Sequence, residues 1–264
     1  MIHTAVARLE AAALRLRTVL GAPVAAAAAC DVGAPEQAWR AALDEELCDR
    51  LVDLAAARAW AAREAASGPD RHPAAAVLRG CTLWAVESDT ARVLAMASTD
   101  ASRPATDEAA DAEVPSAVAA QGRAAALVTA LASAEVYDAV CARLRTAFGP
   151  CPAGRAAAAW EIADTALSGL GATREEWVGT DPAYTAAGGW VLVDRIGRLA
   201  LGAALLSATP TYPAVQAETR VNAARRHTWN HLRQPPPEAA TAIHVRRTAE
   251  LVDWIAGSAG RSGA

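Results

Sequence analysis

Two histidines four residues apart, His227 and His231 in the run Arg225-Arg226-His227-Thr228-Trp229-Asn230-His231, are the side chains here best suited to chemistry. On a helix they share one face, a turn apart. Neutral imidazoles so placed can chelate a metal, and His244 is a candidate third ligand from a following helix. Three such ligands with a position left open suit zinc or iron. Position 228 is threonine, where the metalloprotease pattern needs a glutamate directly after its first histidine, so that chemistry is excluded. The competing reading of the pair is a partly exposed cationic helix face.

A single axial histidine for haem is the other cofactor reading. Ala223 and Ala224, a turn from His227, would let a flat ring approach, and Trp229 would lie near it. Arg225 or Arg226 would then pair with a propionate or a substrate carboxylate. Glu218 and Asn222 continue an adjoining stripe at hydrogen-bonding spacing. This makes Glu218 and Arg226 the candidate catalytic groups. With Glu218-Thr219 ahead of Arg226-His227, the helix resembles the haem-ligating helix of the tryptophan 2,3-dioxygenase superfamily. Its spacing departs from that pattern by one residue, and the family's distal histidine region has no counterpart here. The resemblance implies oxidative chemistry on a small anionic or aromatic substrate.

Glu46, Asp49 and Asp53 form a second constellation. Carboxylates one turn apart can hold magnesium against a diphosphate, as in helical isoprenoid enzymes. A facing acidic motif is missing, and Arg50 and Arg58 interleave, which favours a salt-bridged surface. Eight tryptophans against one phenylalanine read as core anchors filling gaps between alanine-rich helices. A cofactor-free ligand-binding module or interaction scaffold, with a homo-oligomer as one form of it, is therefore the alternative to an enzyme.

Composition removes several classes. There is no lysine, so no Schiff base or phosphate-loop lysine can exist. Gly188-Gly189 follow no strand, which excludes a dinucleotide loop. A net charge of −4 gives no basis for nucleic-acid binding. Cys30, Cys48, Cys81, Cys141 and Cys151 are odd in number and widely spaced, as expected of small buried hydrophobes in a reducing cytoplasm. No segment reads as a signal peptide or a membrane span.

The elements that must position these groups are helices. Period-2 alternation is nearly absent, so the expected class is all-α, a single domain over residues 1–264 with about eight to ten helices in a bundle. Gly21, Ser67-Gly68-Pro69, Gly149-Pro150 and Pro235-Pro236-Pro237 are the stops. Ser133 interrupts the run after Pro115, and Thr173 with Glu176 fits a capping box. Val6, Leu9, Leu14 and Leu20 lie near one side of the first helix. Residues 98–114, acidic and proline-bearing, read as a mobile loop or subdomain linker.

Overall fold

Helix-breaking residues and a few caps cut the chain into the elements expected of it. The computed structural model describes residues 2–20, 34–68, 70–98, 117–177, 189–207 and 214–233. Of these residues 90% are helical and none lies in a strand, so the fold is all-α. In chain order the helices are α1 (Ile2–Leu20), α2 (Ala34–Ser67), α3 (Pro73–Ser98), α4 (Ala117–Ala132) and α5 (Ala134–Phe148). A short 3-10 turn (Gly154–Ala156) leads into α6 (Ala157–Ser168), followed by α7 (Leu170–Trp177), α8 (Trp190–Ser207) and α9 (Ala214–His231). The 98–114 linker expectation falls, beyond Ser98, outside the described residues.

Local chemistry explains the boundaries. Ser133 adopts an extended conformation and its hydroxyl accepts from the Val136 amide, which ends α4 and opens α5 at a bend of 99°. Gly149, at φ 63°, closes α5 in a conformation that a side chain would resist. The helix expected to open at Thr173 opens earlier, at Leu170. The turn comes at Gly169, four residues earlier than Thr173, so Thr173 lies inside a helix.

α8 is the axis of the bundle. From Ile196 to Leu206 every residue is buried, all of them apolar except Arg198. It packs against α2, α3, α4, α5, α6, α7 and α9. Burying Leu192, Ile196, Leu199, Leu201 and Leu205 there contributes about 1.5–3 kcal/mol each. Its closest approach is to α3 at Gly197, where a Cβ would stand 2.4 Å from the Cys81 carbonyl oxygen. Only glycine lets the two backbones meet, and this contact brings the next residue, Arg198, against α3. Among the described residues no single helix is long and apolar enough to cross a membrane.

Several packing expectations are revised. Val6 and Leu9 are buried as expected, but Leu14 on α1 is 63% exposed. Of the tryptophans, Trp60 is a core anchor, whereas Trp190 and Trp229 are exposed. Trp190 gains its contact by stacking on Trp84, with ring centroids 5.8 Å apart. Cys81 and Cys141 are buried, while Cys48 and Cys151 are exposed, so burial does not account for the cysteines as a set.

Candidate metal centre

α2 and α9 carry matched polar pairs. Asp49 and Asp53 lie one turn apart on α2, and on α9 the pairs Arg226/Asn230 and His227/His231 repeat that spacing. The helices pack so that the first rung joins Asp49 to Arg226 and Asn230, whose amide donates to Asp49 Oδ1 at 2.7 Å. The second rung is Asp53 against both histidines. His231 Nε2 lies 2.7 Å and His227 Nδ1 3.1 Å from the same oxygen, Asp53 Oδ1. The surface expectation for this acidic turn is therefore wrong for Asp53 and Arg50, which are 1% and 4% exposed. Arg58 alone behaves as expected, pairing with Glu10 at the surface.

His227 is fully buried, and its second nitrogen, Nε2, faces the main-chain carbonyl of Arg198 at 3.1 Å. That carbonyl can only accept, so Nε2 carries a proton and donates it. Nδ1 then faces a carboxylate. Burial alone would raise the Asp53 carboxyl, but the bonds from His227 and His231 outweigh it and hold it well below the usual carboxylate range. A neutral imidazole has one N–H, and His227 has already given it to Arg198. With that proton spent on Arg198, Nδ1 bonds to Asp53 Oδ1 only when it carries a second ring proton; without one, the two lone pairs need a metal ion between them. Burial also lowers the His231 imidazole, against the pull of Asp53, so its neutral form is favoured.

Asp53, His227 and His231 present one ligand atom each, all within 4.8 Å of one another. The ligand atoms of a four-coordinate zinc site stand roughly 3.3 Å apart, so small adjustments would admit an ion. Two imidazoles and one carboxylate form the donor set associated with non-haem iron, and the same set binds zinc. A ring N–H bonded to a main-chain carbonyl, as His227 Nε2 is to Arg198, is the kind of contact that fixes the tautomer of metal-ligating histidines in general.

Behind the three residues stands a charged group that sequence reasoning missed. Arg50 Nη1 is 2.9 Å from Asp53 Oδ2, an ionic contact outside hydrogen-bonding geometry. The same nitrogen donates to Asp89 Oδ1 at 3.2 Å. Asp89, fully buried on α3, also takes both arms of the Arg198 guanidinium, at 2.5 and 2.7 Å. Burial works against the Arg198 charge, and Asp89 more than offsets it. Asp194 adds a contact 3.3 Å from Arg198 Nε at the rim. A signal was present in the sequence, since Arg198 interrupts the apolar run from Ile196 to Leu206 and a buried arginine must have a partner.

The other sequence candidates fall elsewhere. Glu218 is nine residues from His227, about half a turn out of phase and roughly 13 Å along the axis. It is exposed, bonded with Asn222 to Arg155, so that stripe is a surface and not an inward polar network. Glu218 and Arg155 border a cavity of about 660 Å³ that Asp53, His227 and His231 do not line. Arg226 is taken by Asp49, Arg225 is exposed, and Trp229 is 56% exposed beneath the Arg233 guanidinium. Arg225 and Trp229 thus share no wall with His227. His244 lies outside the described residues.

No protein-family model, curated protein or solved structure matches the chain. The likeness of α9 to a haem-ligating helix is thus not extended by any wider similarity. Its geometry also differs from an axial ligand's, since both His227 nitrogens are engaged and the ring edge packs near Gly202, whose Cβ position is 3.5 Å from His227 Cδ2.

Proposed function

We propose that the protein is a metal-dependent enzyme acting on a small molecule, with a divalent ion held by Asp53 Oδ1, His227 Nδ1 and His231 Nε2. The observation that carries this reading is geometric: one ligand atom each from Asp53, His227 and His231 converges within 4.8 Å, and His227 Nε2 meets the Arg198 carbonyl, which leaves Nδ1 facing the cluster. Among the two cofactor readings of the sequence this favours a non-haem ion over haem. A bound ion would supply Lewis-acid activation of water or substrate, or oxygen chemistry if it is iron. The chain's own contribution is to fix the tautomer of His227, keep Asp53 ionised, and leave His231, at 11% side-chain exposure, as the member nearest solvent. Diphosphate binding through Asp49 and Asp53 gains no support, because both carboxylates are turned to α9.

The second reading is a cofactor-free scaffold. What favours it is that the Arg50, Asp89 and Arg198 charges tie α2, α3 and α8 together whether or not an ion binds. Titration with Co²⁺ separates the two. Tight binding that His227→Gln and His231→Gln each abolish supports the metal enzyme, and an unchanged absorption spectrum at millimolar Co²⁺ supports the scaffold.

A further inference from the structure

The charged residues around the three ligands close a ring. Asp53 Oδ1 meets His227 Nδ1, and His227 Nε2 meets the Arg198 carbonyl. The Arg198 side chain holds Asp89, Asp89 holds Arg50, and Arg50 returns to Asp53 Oδ2. Asp89 is the one member with no direct contact to a proposed ligand in this ring, yet it sets both routes to them. Through Arg50 it fixes the second oxygen of Asp53, and through the Arg198 side chain it anchors the residue whose carbonyl orients His227. It can do so because Gly197 brings α8 against α3, so the Asp89 to Arg198 contacts are 2.5 and 2.7 Å and fully buried.

Resting on the metal reading above, we infer that Asp89 is a positioning residue that, by way of Arg50 and Arg198, holds Asp53 as a one-oxygen ligand and His227 with Nδ1 toward the ion. The arrangement has a chemical consequence. A carboxylate whose second oxygen is held by a guanidinium occupies one coordination position and not two, so one more position stays open for water or substrate. The same hold biases the site against ions that prefer chelating carboxylates, calcium above all, and toward ions served by imidazole.

The test uses the full chain and Co²⁺ as the probe. Asp89→Asn alone leaves two buried guanidiniums facing one buried carboxylate, Asp53, with Asp194 at the rim, and can fail to fold. The double variant Asp89→Asn with Arg50→Met removes one charge of each sign and is the informative protein, with Arg50→Lys as a second variant that keeps the charge without the planar fork. The inference expects the folded double variant, identical to the parent in helical circular dichroism, to bind Co²⁺ about 10–100-fold more weakly, with an altered ligand-field spectrum. Arg50→Lys is expected to fall between the two in affinity. A folded double variant with parental affinity and an unchanged spectrum overturns the inference while leaving the metal site standing. Failure of the parent itself to bind Co²⁺ overturns the metal reading on which it rests.

Discussion

Replacing Asp53 by asparagine changes almost no volume, so its effect isolates the charge. In the folded protein Asp53 is 1% exposed and faces Arg50 Nη1 at 2.9 Å, His231 Nε2 at 2.7 Å and His227 Nδ1 at 3.1 Å. The amide can still accept from one imidazole, but it offers no counter-charge to Arg50, and its NH₂ group would confront a donor. Removing one partner of a buried ion pair costs about 3–5 kcal/mol, because the other charge is left in a dry interior. For a chain of this size each kcal/mol shifts the midpoint by roughly 2–4 °C, so Asp53→Asn should melt about 6–20 °C below the parent. The assay is thermal unfolding by circular dichroism, with chelator present throughout so that lost metal affinity does not contribute. A midpoint within about 2 °C of the parent would correspond to under about 1 kcal/mol and would refute the claim that this carboxylate balances buried charge.

Three further outcomes follow from other parts of the fold. Gly197→Ala places a Cβ 2.4 Å from the Cys81 carbonyl oxygen, a backbone atom that cannot swing away. It should cost about 1–3 kcal/mol in urea unfolding and weaken Co²⁺ binding, and an unchanged midpoint would contradict the close packing of α3 on α8. Burial pushes the Glu87 carboxyl above its usual range despite Arg123. A raised carboxyl pKa means the folded state holds its proton more tightly, so the stabilisation is present at low pH and is lost as pH rises through the raised value. Glu87→Gln should therefore be no less stable than the parent at pH 7 and should show a flatter stability profile just above the ordinary carboxylate pKa. A large loss at pH 7 would reverse that sign. Arg155→Ala, Glu218→Ala and Trp229→Ala alter exposed side chains away from the histidines. Each should leave metal content unchanged and shift stability by under about 1 kcal/mol, and loss of metal in the Glu218 or Trp229 variant would restore the haem-type arrangement read from sequence.

The helices were legible because their breaks are chemical. Gly68, Ser133 and Gly149 stop or start a helix through conformations and caps available to few other residues. The histidine pair was legible because spacing alone places two rings on one face. Its partner was not, since Asp53 is 174 residues from His227 and nothing local says which helix lies opposite α9. The clue was the repeat of a four-residue spacing in both segments, Asp49/Asp53 against Arg226/Asn230 and His227/His231. Glu218 stands apart from the histidines for a simpler reason. Its distance in sequence puts it half a turn away from His227, so it could not share the histidines' face. Arg198 and Asp89 were legible only as charges out of place in apolar helices, a signal that points to burial and a partner but does not name the partner.

Elemental analysis of the purified, untagged chain, alongside its His227→Gln/His231→Gln double variant, tests the central claim most directly. The account predicts close to one zinc, iron or other divalent transition ion per parent chain after loading and desalting, and none in the variant. Metal absent from both, or equal in both, would contradict it and leave the buried charges as a brace between helices.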